Sequence, residues 1–228
     1  MPNTFALTAL PATALAVTAL PATALPVDAG LDVTMLHTGG LIALVAIAVT
    51  LISLIVLHLL PTKLSPLRDP VSQYGITRYR LGYAVAAWSA AVAGLGAIVA
   101  LMTVPGSTVT IVLLAVFAVA RAVIPAVPMD SPGAPTTRRG RMHNILAFAA
   151  FGTVTAAAFV AAGCLHDAGF AAASLWSTVM GVVMAVGAVG LLVARFVPAL
   201  SGLFGAFERL IYVGFIAWFV ALGVAFVS

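Results

Sequence analysis

Arg138-Arg139-Gly140-Arg141-Met142-His143 leads without a break into Asn144-Ile145-Leu146-Ala147-Phe148-Ala149-Ala150-Phe151-Gly152-Thr153-Val154-Thr155-Ala156-Ala157-Ala158-Phe159-Val160-Ala161-Ala162-Gly163-Cys164. The second stretch holds no charged side chain and is about 20 residues long, which is what a helix needs to cross a hydrocarbon layer of roughly 30 Å. A basic loop entering an apolar helix is the reading, and it recurs along the chain. The other long apolar runs are Thr38–Leu60, Leu81–Met102, Thr108–Val127, Ala171–Ala194 and Leu210–Val227. The sequence therefore predicts an all-α, polytopic membrane protein, a bundle of six transmembrane helices.

The ten Lys and Arg residues decide the orientation. Lys63, Arg68, Arg78 and Arg80 follow the first run. Arg121 closes the third, before Arg138, Arg139 and Arg141. Arg195 closes the fifth and Arg209 opens the sixth. The connections 103–107 and 165–170 hold none, and neither does the N-terminal segment. Basic loops stay in the cytoplasm. Loops 61–80, 128–143 and 195–209 are expected there, in the cell membrane, with both termini outside.

Composition agrees. Hydrophobic residues make up 63% and charged residues 7% of the 228, with a mean hydropathy of +1.21. A soluble domain carries nearer a quarter charged residues. The net charge of +4 reads as a topology signal with some attraction to anionic lipid, not as a nucleic-acid footprint. Membrane lipids are the expected partners. A protein partner and the oligomeric state stay open. Cys164 is the only cysteine, which rules out an intramolecular disulfide and leaves it to pack as a small apolar residue.

Residues 1–36 form a Pro/Ala/Thr-rich tail ahead of the six-helix domain at 37–228. Thr8-Ala9-Leu10-Pro11-Ala12-Thr13-Ala14-Leu15 recurs as Thr18-Ala19-Leu20-Pro21-Ala22-Thr23-Ala24-Leu25. Prolines at this spacing interrupt a helix, so a flexible outer tail or an overextended start is expected rather than a seventh span. A signal peptide is the alternative, but the basic start and unbroken apolar middle are missing. Inside the spans, Gly94, Gly96, Gly181, Gly187 and Gly190 are expected to let helices approach closely.

Polar chemistry gathers in four segments on the basic side. The first is the loop holding Arg68, Asp69, Ser72 and Tyr74, between Pro66 and Gly75. Its plain reading is a capped turn, with Asp69 accepting backbone N–H groups ahead of a short helix. The second holds Arg121, expected to snorkel or to pair with Asp130 or Glu208. The third holds Arg141, His143 and Asn144. The fourth holds Glu208 and Arg209, each expected to pair with a charge from another loop. The candidate cluster is thus Arg68, Asp69, Ser72, Tyr74, Arg121, Asp130, Arg141, His143, Glu208 and Arg209. His58, His143, Asp69, Asp130 and Glu208 include metal-ligand types. They lack a compact ligand motif, so no metal or other cofactor is assigned.

At these segments the chain resembles the bacterial and archaeal membrane proteins of domain of unknown function 998. The residues that carry the resemblance are Arg68-Asp69-Pro70-Val71-Ser72-Gln73-Tyr74-Gly75, Pro128-Met129-Asp130, Gly140-Arg141-Met142-His143 and Phe207-Glu208-Arg209. The resemblance implies six membrane spans from about Thr38 to the C-terminus and brings no activity with it. The leading expectation is binding of a lipid headgroup, a small ligand or a partner at the cytoplasmic edge. A lipid-modifying enzyme of the inner leaflet, such as a metal-dependent hydrolase using Asp130 and His143, is the first rival. A small-molecule transporter is the second. Whether the protein is an enzyme stays open.

Overall fold

The computed structural model describes residues 29–228, and the side chains from Asp32 onward. The Pro-rich repeat lies outside the described residues. Six long helices follow: α1 Ala29–Leu59, α2 Arg80–Leu101, α3 Thr108–Val123, α4 Arg138–Asp167, α5 Ala171–Phe196 and α6 Phe204–Val227. Short 3-10 turns cover Val71–Ile76, Ile124–Ala126 and Pro198–Leu203. All six helical segments are long and apolar enough to cross a membrane. Three helices start a turn or more ahead of the apolar runs. α1 takes in residues from Ala29, ahead of the tail boundary expected at 37. α4 takes in the arginine cluster, and α6 takes in Glu208 and Arg209. At 30 residues α4 is about 45 Å long. It exceeds the hydrocarbon thickness, so its basic first turns can reach the headgroups.

The helices form a closed ring in chain order, with α6 packed back on α1. α2 and α6 are the most buried. Small residues explain the tight seams. The buried Ala86, Ala90, Ala93, Ala97 and Ala100 repeat at helical spacing along α2. Gly39 and Gly40 present their missing side chains to two different neighbours. A Cβ on Gly39 would press on the Gly96 carbonyl oxygen at 2.5 Å, and one on Gly40 would come within 3.2 Å of the Gly223 carbonyl. α1 therefore nests between α2 and α6 with near backbone-to-backbone contact, as small residues permit in lipid. Gly94, Gly181 and Gly190 accept the rings of Phe117, Phe159 and Phe207, and Gly187 lies against the backbone of α6.

Aromatic rings fill the middle. Phe117 lies 5.8 Å from Phe215 and 5.7 Å from Phe219, centroid to centroid. Trp218 is fully buried and donates its indole N–H to Ser177 Oγ at 2.8 Å. Outward faces carry Val45, Ile52 and Leu95, which are apolar and exposed, as a lipid-facing surface requires. At the end without basic residues the turns are short. Gly106 and Gly169 sit at φ +77° and +87°, a backbone region that suits glycine.

Candidate functional site

The site grows from a loop laid across the start of α6. Pro66 and Pro70 stiffen the segment between them. Asp69 turns its carboxylate back, not forward: Oδ2 accepts the Ser65 N–H at 2.6 Å. This corrects the expectation that Asp69 caps the helical turn ahead of it. Glu208 of α6 takes that place instead, its Oε2 accepting the Val71 N–H at 2.7 Å. The Ala206 N–H donates to the Leu67 carbonyl, and Arg209 Nη1 to the Asp69 carbonyl at 2.8 Å. The crossing needs Gly205, because a Cβ there would meet the Asp69 and Pro66 carbonyl oxygens. Gly75 plays a like part beneath the loop, facing the Tyr83 ring.

Among the described residues Glu208 and Arg209 bond to backbone and to a histidine rather than to the charged partners expected of them. Arg209 Nε donates to His58 Nε2 at 2.8 Å, while His58 Nδ1 meets the Leu54 carbonyl at 2.6 Å. A carbonyl can only accept and a guanidinium can only donate. The imidazole is therefore neutral, with its proton on Nδ1. It also lies against Tyr74, ring centroids 5.4 Å apart. Arg121 is 1% exposed, so it does not snorkel. Nη1 donates to the Tyr212 hydroxyl at 3.0 Å, and the guanidinium carbon lies 5.2 Å from that ring's centroid. Nε and Nη2 of Arg121 have no hydrogen-bond partner among the described residues. A neutral phenol and aromatic faces thus replace the expected Asp130 or Glu208.

The start of α4 is built by three side chains. Thr137 Oγ1 accepts the Gly140 N–H at 3.0 Å and donates to Asp130 Oδ1 at 2.6 Å, while the Thr137 N–H donates to Asp130 Oδ2 at 2.9 Å. The Thr137 hydroxyl first, and its N–H second, hold the Asp130 carboxyl below its ordinary 3.8. Gly140 is required because the Asp130 carboxylate occupies the place of its Cβ. His143, 3% exposed, meets the Val127 carbonyl through Nδ1 at 2.7 Å, so Nδ1 carries a proton. Its Nε2 has no hydrogen-bond partner among the described residues. Asp130 and His143 thus tether the same 127–130 segment to α4.

A cavity of about 350 Å³ lies beside these groups. Ser72, His143, Asn144, Arg195 and Glu208 line it, together with an apolar wall that includes Phe148, Phe151, Leu191, Leu192 and Ile211. α4 and α5 form the sides and α6 the floor. Pro70, Ser72 and Met129 close the end, where Ser72 Oγ donates to Met129 Sδ at 3.3 Å. Phe148 is 70% and Leu192 48% exposed, so the cavity opens through the outer wall of the bundle. Gly152 also lines it, and a Cβ there would meet nothing within 4 Å. A wider groove of about 830 Å³ lies at the other end, between α5 and α6. Its lining holds no ionisable side chain, so it offers lipid contact and little chemistry.

The ten candidate residues divide. Ser72, His143 and Glu208 line the cavity. Asp69, Asp130 and Arg209 hold the backbone that frames it, and Tyr74 and Arg121 are packed in the interior. Arg68 and Arg141 are exposed. Among the described residues no three His, Cys, Asp or Glu side chains gather within reach of one metal ion. Sequence reasoning did not single out Arg195, Phe148, Phe151 or Tyr212. Phe148 and Phe151 are three apart on one face of α4, but any apolar helix shows such pairs. Of the hydroxyls within the spans, Ser89, Thr153, Thr155 and Thr178 bond to their own helix. Ser174 reaches instead to the Ala162 carbonyl of α4.

No curated protein and no solved structure matches the chain. The sequence model of a family described as "Protein of unknown function (DUF998)" matches residues 44–225, a range that holds all six spans in part or whole and every residue of the cavity. The chain belongs to the DUF998 family of integral membrane proteins.

Proposed function

We propose that this protein binds a lipid-like amphiphile in the cavity between α4, α5 and α6. One observation carries the reading. The cavity places buried polar groups, Glu208 and His143, at one end of an aromatic and aliphatic wall that opens toward the lipid-facing surface. A ligand pocket combines a mostly apolar lining with a few placed polar groups. An amphiphile entering sideways would leave its tail along Phe148 and Leu192 and set its head against His143 and Glu208. We assign the basic end to the cytoplasmic face of the cell membrane on the charge bias alone, which puts the head in the inner leaflet. The enzyme reading through Asp130 and His143 has less support, because the Asp130 carboxylate is bonded to Thr137 and does not line the cavity with His143.

Native mass spectrometry of the protein extracted in mild detergent tests this. Wild type is expected to retain a lipid. Gly152→Leu extends a side chain into the cavity without meeting protein atoms at its Cβ, and removes a helix-weakening glycine. It is expected to fold and to lose the lipid. Equal lipid retention by the folded variant would overturn the proposal.

A further inference from the structure

The lining of the cavity carries one cation and one carboxylate, and they sit at different depths. Glu208 is 4% exposed, at the inner end. Arg195, in the last turn of α5, is exposed at the rim. The inner end is rich in acceptors. The Val127 carbonyl occupies His143 Nδ1 and fixes the proton there, so in the neutral ring Nε2 is a lone pair without a donor among the described residues. The Ser72 hydroxyl gives its proton to Met129 Sδ, which leaves its oxygen free to accept. Glu208 carries the one carboxyl group in the lining among the described residues. Buried acceptors are stabilised when a donor reaches them, and a buried carboxylate gains more when that donor is charged.

Resting on the lipid-binding reading above, we propose that the cavity selects a zwitterionic phospholipid with a primary ammonium headgroup. The ammonium group seats among Glu208, His143 Nε2 and Ser72 Oγ, and the phosphate lies outward by Arg195. A primary ammonium carries three N–H donors, one for each acceptor. A choline headgroup has the same charge but no N–H, so it leaves the His143 lone pair unmet. A glycerol headgroup has hydroxyl donors but no cation for Glu208. The apolar wall along Phe148, Phe151 and Leu191 requires the acyl chains as well as the head.

The test is lipid exchange followed by native mass spectrometry. Detergent-purified full-length protein is offered equimolar phosphatidylethanolamine, phosphatidylcholine and phosphatidylglycerol with identical acyl chains. Retention of the ethanolamine lipid is expected to exceed that of each of the others about tenfold, the ratio that corresponds to 1.4 kcal/mol. Glu208→Gln keeps an acceptor for the Val71 N–H and removes the charge, and is expected to abolish the preference for ethanolamine over glycerol lipid. Arg195→Gln, at the exposed rim, is expected to weaken all three phospholipids and to leave their order unchanged. Glycerophosphoethanolamine, the soluble head alone, is expected not to displace bound lipid at equal concentration, and displacement would overturn the requirement for acyl chains. Equal retention of the three lipids, all lost in Gly152→Leu, would overturn the selectivity while leaving lipid binding in place. Retention unaffected by Gly152→Leu would overturn both.

Discussion

The carboxylate of Glu208 accepts the backbone N–H of Val71 at 2.7 Å, across 137 positions of chain. This bond ties the first basic loop to the base of α6 and closes one end of the cavity. Val71 is 1% exposed, so water does not replace the acceptor when it is lost. Glu208→Ala is expected to lower unfolding stability by about 1–3 kcal/mol, the cost of leaving a buried donor unmet. Glu208→Gln, which keeps an oxygen, is expected to lose less. Denaturation of both variants in one detergent checks the order, and equal losses would remove the bond from the account.

Gly39 and Gly40 make a sharper demand. A Cβ at either site meets backbone of α2 or side chains and backbone of α6. Backbone cannot swing aside as a flexible side chain can. Gly39→Val is expected to destabilise by at least the roughly 1–3 kcal/mol typical of overpacking. Gly152→Val, with open space at its Cβ, is expected to cost far less. Thermal unfolding monitored by size-exclusion chromatography compares the two, and a well-folded Gly39→Val protein would contradict the α1–α2 seam.

Asp130 sets an acid limit at the start of α4. Its carboxyl titrates below the ordinary 3.8 because Thr137 bonds the charged form. A depressed folded pKa adds stability above the unfolded value, and that stability is lost as pH falls through the folded one. The start of α4 is therefore expected to open as pH drops from 3.8 downward, seen as faster amide exchange at Gly140. Asp130→Asn is expected to show weaker protection at neutral pH and no such acid step. An unchanged step in the variant would assign it to another group.

Orientation has its own test. A reporter active only in the cytoplasm is expected to give signal when fused within the 131–137 loop and none when fused after Ser228. The basis is the placement of all ten Lys and Arg residues at alternate connections. The reverse pattern would invert the assignment of the cavity to the inner leaflet.

The spans and their number were legible in the sequence, because a bilayer admits only long apolar segments whose backbone bonds are made internally. That constraint acts on each segment separately, so hydropathy reports it. The helix starts were less legible. Arg138–His143 reads as loop by charge, yet Thr137 caps a helix there and Asp130 braces the cap. Gly75, Gly140 and Gly205 were visible as letters, but what occupies the space beside them was not. Tyr83, the Asp130 carboxylate and the Asp69 carbonyl each arrive from elsewhere in the chain.

By itself the sequence determined a six-helix membrane bundle with its polar groups at one end, since length, hydropathy and charge bias are properties of local segments. Only the tertiary structure decided which polar groups meet. Arg121 finds Tyr212 rather than a carboxylate, and Arg209 finds His58. Glu208 finds a backbone N–H. The cavity likewise exists only where α4, α5 and α6 fail to fill the space between them. Partner choice and unfilled volume depend on helix rotation and depth, which small-residue seams set across the whole ring. No single segment contains that information.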